Sequence, residues 1–227
     1  MCGRFGLVVD IEGVQDYFSF DPTSVEYVQR YNVAPTDPVL TYGAQGPQTA
    51  EYMRWGLIPY WSKPGGRKLP LAINARAETL ASNGMFKGPF ERRRCLVLSD
   101  GFYEWRKNDD GTTTPFRIGL STWEPFGFAA VWDRWDGPDG ETHSCTIVTT
   151  TPNALMEPIH DRMPVLLPRE AHDEWLDASN RDTSSLQHLL APYPADGMAA
   201  YEISTAVGNV KNDTSAVIAP ASQGRML

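Results

Sequence analysis

Cysteine is scarce in this sequence: only Cys2, Cys95 and Cys145 occur in 227 residues. An odd number without metal-type spacing argues against a disulfide framework and a zinc site, and no metal or cofactor is expected. Long apolar runs are missing too. None approaches the roughly 20 residues of a membrane helix, and no basic start leads into an apolar segment of the secretory kind. The expected location is therefore cytoplasmic, where a thiol remains a thiol. Repeats, low-complexity tracts and long linkers are also lacking, so one domain over 1–227 is expected, with 212–227 as a C-terminal tail.

An excess of positive charge is lacking as well, since the formal net charge is −8. Its distribution is uneven. From Arg54 to Arg106 ten Lys/Arg face four acids, giving that stretch +6 and the remainder −14. This asymmetry suits a protein that meets an anion on one face, although a solvated basic surface has the same signature. The apolar content of 41% and charged content of 21% are those of a globular protein with a real core.

Helical spacing over Asp10–Phe18, with Asp10 as N-cap, predicts a first helix. Arg30 to Pro35 reads as a loop. Val39–Tyr42 and Ala50–Arg54 read as a hairpin, and Trp55–Trp61 as an aromatic segment breaking into an exposed loop at Ser62–Gly66. A helix is expected from about Ala75 to Ser82. Strands are expected at Cys95–Asp100, Phe102–Arg106, Pro115–Leu120, Phe128–Trp132 and Ser144–Thr149. Helical signals return at Pro152–Met156, Pro168–Asp177 and Thr183–Leu190. The fold class expected is α+β, with a mostly antiparallel sheet or barrel and flanking helices.

Five places carry chemistry. If Met1 is removed, Cys2 presents an α-amine (reference pKa about 7.7–8.0) and a thiol (about 8.5) on adjacent carbons. An aldehyde attacked by that amine gives a Schiff base, on which the thiol closes a five-membered thiazolidine. Asn74 is either the N-cap of the expected helix or a neutral amide that orients an amine. Arg76 either pairs with Glu78 or forks onto a phosphate. Glu104, between Tyr103 and Trp105, is a general acid/base raised by apolar walls or an edge-strand glutamate facing water. His160, flanked by Asp161 and Arg162, fits a proton shuttle near neutral pH or a satisfied structural histidine. His143, His172 and His188 read as surface residues. In Ser204–Asn212, backbone N–H groups and Lys211 are a candidate phosphate cradle.

These segments occur together in one order: Met1-Cys-Gly-Arg-Phe5, Tyr31-Asn-Val-Ala-Pro35, Trp55-Gly-Leu-Ile-Pro59 with Trp61, Ile73-Asn-Ala-Arg76 with Glu78, Asp100-Gly-Phe-Tyr-Glu-Trp105, His160-Asp-Arg-Met-Pro164 and Val207-Gly-Asn-Val-Lys211. In that order the chain resembles the SOS response-associated peptidase family, whose members crosslink covalently to abasic sites in single-stranded DNA. The resemblance implies that Cys2 forms the thiazolidine with the abasic sugar aldehyde, after release of Met1. It also implies that Asn74 holds the amine, that Glu104 is the acid/base, and that His160 assists proton transfer and crosslink reversal. Arg4 and Arg76 resemble phosphate-binding positions, and Asn32, Pro35 and Trp61 resemble groove residues.

Two positions depart from the family pattern. Asn83-Gly84-Met85-Phe86-Lys87 lacks an arginine before the Phe-Lys pair, leaving Lys87 or the Arg92–Arg94 run to supply that contact. Ser62 stands where some relatives carry a second tryptophan. The expected partner is single-stranded DNA with abasic sites, including single-strand/double-strand junctions, bound by a monomer that is nucleoid-associated in a bacterium. An N-terminal nucleophile amidohydrolase, a non-covalent reader of damaged DNA and a Cys2–His160 protease are the alternative readings.

Overall fold

The computed structural model describes residues 2–66 and 69–221; Met1, Arg67, Lys68 and 222–227 lie outside the described residues. In chain order the elements are β1 (Phe5–Leu7), α1 (Ile11–Phe18), β2 (Arg30–Val33), β3 (Pro38–Tyr42), β4 (Ala50–Trp55), β5 (Asn74–Arg76), α2 (Lys87–Arg92) and β6 (Arg94–Ser99). They continue as β7 (Gly101–Lys107), β8 (Thr113–Leu120), β9 (Phe126–Gly137), β10 (Gly140–Thr150), β11 (Met163–Pro164), β12 (Leu166–Leu167), α3 (His172–Leu176) and β13 (Met198–Glu202). The fold is α+β and dominated by strands. None of the described helices is long and apolar enough to cross a membrane.

Two sheets carry the fold. In one, β13-β8-β7-β1-β2 run antiparallel. In the other, β10, β4, β3, β6 and β9 pair in that order, and β9 pairs again with β10, closing the sheet into a barrel. Closure explains why β6 is buried at every position. Alternate side chains go to opposite faces of a strand. Cys95 and Val97 join the inner core with Phe5, Trp55, Phe102 and Phe128. Leu96 and Leu98 pack outward under Val14, Phe18, Phe90 and Trp175 of the helices. Deleting one of these large side chains costs about 3–5 kcal/mol.

The passage from β6 to β7 changes sheets. Asp100, 1% exposed, stands at the crossing. It accepts from the Val8 and Val9 amides at 2.7 and 2.8 Å and pairs with buried Arg117 at 2.9 Å. Gly101 follows because Arg117 passes too close for a side chain: a Cβ there would lie 2.7 Å from Nε. The crossing brings β7 beside β1, with Phe5 opposite Phe102 and the Tyr103 amide bonded to the Arg4 carbonyl at 2.9 Å.

Helix α1 with its Asp10 cap and the β3–β4 hairpin form as expected, but several other segments differ. Arg30–Val33 is a strand, because its edge is covered by Asp213, which accepts from the Tyr31 and Asn32 amides. Asn74–Arg76 begins no helix. It pairs in parallel with β10, Asn74 opposite Ile147, and only the short 3-10 turn Ala77–Thr79 follows; sheet pairing overrides the helix propensity of the alanines. Pro152–Met156 gives a single turn capped by Asn153, which Pro158 cannot extend. Thr183–Leu190 contributes only the 3-10 turn Gln187–Leu190, and the helix expected from Pro168 is a 3-10 turn followed by α3. His172 is no surface residue: it is 6% exposed and stacks on Phe18 at 5.6 Å.

Candidate active site

Cys2 enters β1 from inside the molecule. It is fully buried, and its Sγ lies 3.9 Å from the Arg4 carbonyl. Burial, followed by the nearby charge of Glu104, pushes the thiol far above its ordinary range. In this setting it is held protonated and needs a base when it reacts. The expected removal of Met1 lies outside the described residues.

Asn74 opens β5 and reaches the same place. Its Nδ2 donates to the Cys2 carbonyl at 2.8 Å. Its buried Oδ1 has no hydrogen-bond partner among the described residues. An unmet buried acceptor costs about 1–3 kcal/mol, and this one lies at the residue that carries the nucleophile. Asn74 is thus not a helix cap, and the group it holds is the carbonyl of Cys2.

Glu104 shares a face of β7 with Phe102, and is 4% exposed. On the opposite face Tyr103 packs with Ile203 and Val207. The alternative of a solvated edge glutamate is excluded by this burial. Loss of hydration raises its carboxyl to about 7. The His160 Nε2 stands 3.9 Å from Oε2, a separation longer than a direct hydrogen bond.

The turn ending at His160 presents a half-buried ring. Burial lowers its pKa. Nδ1 has two competing neighbours, the Arg162 amide donating at 3.0 Å and the Asp161 carboxylate at 2.9 Å. With the amide as partner the ring proton sits on Nε2, toward Glu104; with Asp161 as partner it sits on Nδ1. Both tautomers have a partner, which is the property a proton relay needs. Arg162 is itself fixed, to Glu78 through both carboxylate oxygens and to the Thr149 carbonyl at 2.6 Å. Glu78 therefore pairs with Arg162, a partnership across 84 residues that local sequence does not reveal.

The remaining predicted residues separate into two groups. Arg76, Trp61, Lys87 and Lys211 are exposed and Pro35 is partly so. Arg76 stands two residues from Asn74 on the same strand. Asn32, by contrast, is fully buried. Its Nδ2 donates to the Val207, Asn209 and Asn212 carbonyls, and its Oδ1 accepts from Arg4 at 2.9 Å. It clamps the 207–212 loop and is withdrawn from any groove. Arg4 is largely committed to the same clamp, donating to Val207 and Gly208 as well.

The suggested cradle also changes character. The amides of Asn209, Lys211 and Asn212 bond within their own loop and are not offered to a ligand, while the Lys211 side chain is exposed. In the Arg92–Arg94 run, Arg94 is buried and donates to the carbonyls of Phe90, Glu91, Trp175, Asp177 and Asn180. Arg93 pairs with Asp133, so Arg92 alone of the three reaches solvent broadly. Tyr60, which sequence reading passed over, is 67% exposed beside Trp61.

Known proteins resemble this chain over nearly its whole length. Over 96% of its length the chain is 43% identical to the abasic site processing protein YoqW of Bacillus subtilis, covering 99% of that protein. It is 33% identical to the abasic site processing protein YedK of Escherichia coli, covering 97% of this chain and all of that one. A solved structure of a protein from Bacteroides thetaiotaomicron matches the fold with a TM-score of 0.82 at 24% identity, over 96% of this chain and 98% of that one. The family model described as SOS response associated peptidase (SRAP) matches residues 1–210. Cys2 held by an asparagine, beside a buried glutamate and a histidine, thus sits in a chain that belongs to the SRAP family.

Proposed function

We propose that this protein processes abasic sites in single-stranded DNA as part of a DNA damage response, by crosslinking to them through Cys2. The observation that carries the reading is the convergence of Cys2, Asn74, Glu104 and His160 on one buried corner. Relatives over nearly the whole chain bear the name abasic site processing protein.

The reaction needs Met1 released by hydrolysis of the Met1–Cys2 bond, the peptidase-type step of this reading. The freed amine then adds to the aldehyde of the ring-opened deoxyribose. Loss of the carbinolamine hydroxyl as water leaves a Schiff base. Glu104, protonated below about 7, supplies the proton to that hydroxyl and is left as a carboxylate. That carboxylate, directly or through His160, takes the proton of the high-pKa Cys2 thiol. The thiolate adds to the carbon of the Schiff base, which is still protonated on nitrogen; the C=N electron pair returns to that nitrogen, which keeps its one hydrogen. Glu104 is left protonated as it began, and the net change is aminothiol plus aldehyde to thiazolidine plus water. Asn74 contributes position: one amide edge fixes the Cys2 carbonyl, and the unpartnered Oδ1 suits a donor from the freed amine. Exposed Arg76, Lys87, Lys211 and Trp61 are the candidate DNA contacts, with Arg4 and Asn32 supporting the site from behind.

Incubation with single-stranded DNA bearing one abasic site, followed by a denaturing gel, tests the reading. A shifted band is expected that Cys2→Ala removes. A band that survives this substitution, or none from processed protein, overturns it.

A further inference from the structure

Glu78 stands exposed in the turn after β5, and Arg162 is largely buried between His160 and β11. The two side chains meet as a fork, Nη1 on Oε1 and Nη2 on Oε2. Nη2 also donates to the Thr149 carbonyl at 2.6 Å. Thr149 lies opposite Arg76 of β5 on one side and Pro164 of β11 on the other. One guanidinium therefore ties the ends of three strands. Two of them lead to the reactive corner, since β5 begins with Asn74 and β11 follows the His160 turn. A half-exposed ion pair contributes only about 0–1 kcal/mol. What the fork adds is direction, because both carboxylate oxygens are used.

The direction matters at the histidine ring. The Arg162 amide donates to His160 Nδ1 at 3.0 Å, a bond across two residues that needs one path of the backbone through Asp161. Upstream, the turn is held by the His160 amide on the Met156 carbonyl at 2.8 Å, with Met156 and Ile159 buried. Downstream, it is held by the Arg162 side chain. The competitor for Nδ1 is the Asp161 carboxylate at 2.9 Å, on a side chain 90% exposed. Glu104 stands at Nε2 instead, and Lys107 and Glu157 share the surface depression beside the ring. The contest at Nδ1 is thus between neighbours in the chain, and it decides which nitrogen carries the proton.

We infer that Glu78 is a positioning residue for His160: by gripping Arg162 it keeps the Arg162 amide on Nδ1, so that the neutral ring carries its proton on Nε2, toward Glu104. This rests on the reading of His160 as the proton relay of the proposed reaction. Without the fork the turn loses its downstream hold, and Asp161 captures a proton on Nδ1. The ring then shows Glu104 a lone pair in place of a proton.

Long-range ¹H–¹⁵N spectra of histidine-labelled protein read the tautomer directly and need no DNA; His160→Gln identifies the signals. At about pH 8 the unaltered protein is expected in the Nε2–H form. Glu78→Ala is expected to convert most of it to Nδ1–H, and Glu78→Gln, which keeps one acceptor for Arg162, to fall between. Adding Asp161→Asn to Glu78→Ala is expected to restore Nε2–H. The His160 titration midpoint should rise in Glu78→Ala, because a carboxylate on Nδ1–H favours the cation. Loss of a nearby negative charge by itself would lower it. Crosslinking at saturating abasic DNA is expected to slow on the order of tenfold. Affinity for a tetrahydrofuran abasic analogue, which has no aldehyde, should be unchanged or tighter.

An unchanged tautomer in Glu78→Ala overturns the inference. So does tighter binding of the analogue at an unaltered crosslinking rate, which would make Glu78 a mere cover over Arg162. Failure of the unaltered protein to crosslink refutes the proposed function, while the tautomer result still decides what Glu78 does to the ring.

Discussion

Asp100 and Glu104 lie four residues apart, and both are buried, at 1% and 4% exposure. Their surroundings differ in kind. Asp100 meets two backbone amides and the Arg117 guanidinium within 2.9 Å, so its charge is matched where it stands. Glu104 faces an imidazole at 3.9 Å, and lost hydration lifts its carboxyl to about 7. One acid ties the sheet crossing together, and the other stands at the corner that holds Cys2 and His160. Burial alone therefore does not separate the two carboxylates; what each is packed against does. Arg94 and Arg76 repeat the contrast among cations, one saturated by carbonyls and one left in solvent.

The largest effect that would break this comparison is on rate. Glu104→Gln is expected to slow crosslinking at saturating DNA by about 10²–10⁴-fold, the usual contribution of a general acid/base. Asp100→Asn should leave the rate per folded molecule unchanged. Equal loss in both variants would erase the distinction. Stability runs the other way. Removing the Asp100 charge strands Arg117 in the core, at a cost of about 3–5 kcal/mol, read as a lower urea midpoint.

A pH series sharpens the contrast. Glu104 has its folded pKa raised to about 7, above an unfolded value of roughly 4.3. Between those pH values the folded state keeps a proton that the unfolded state releases, so this group's contribution to stability falls as pH rises. Glu104→Gln is therefore expected to melt with the unaltered protein near pH 4 and above it at pH 8, by at least about 2 °C. A gap that opens only in acid would contradict the shifted pKa. The smallest effect is at the surface. Arg76→Ala should reduce the salt dependence of DNA binding by about 0.7 in slope without moving the melting temperature. A structural cation such as Arg94 would show the reverse.

Much of the strand framework could be read from short apolar runs bounded by turn residues, because β6, the first eight residues of β9 and the last seven of β10 are buried at every position. What escaped depends on distant partners. The family resemblance implies a groove position for Asn32, and only the 207–212 loop reveals it as a clamp. Arg94 looks like one of a basic run until the carbonyls of 175–180 are in place around it. Asn74 resembles a helix cap because alanines follow, and β10 makes it a strand. The site itself was more legible. Cys2, Glu104 and His160 are residue types whose chemistry is specific, and Asn74 reaches the same corner for a reason other than capping.

The clamp around Arg4 has a consequence for the timing of assembly. Arg4 and Asn32 grip carbonyls at 207–212, and Asp213 closes over the β2 edge. Arg4 cannot be seated until a loop 203 residues further along has been made, so the corner around Cys2 closes late in the folding of these strands, however early β1 itself is available.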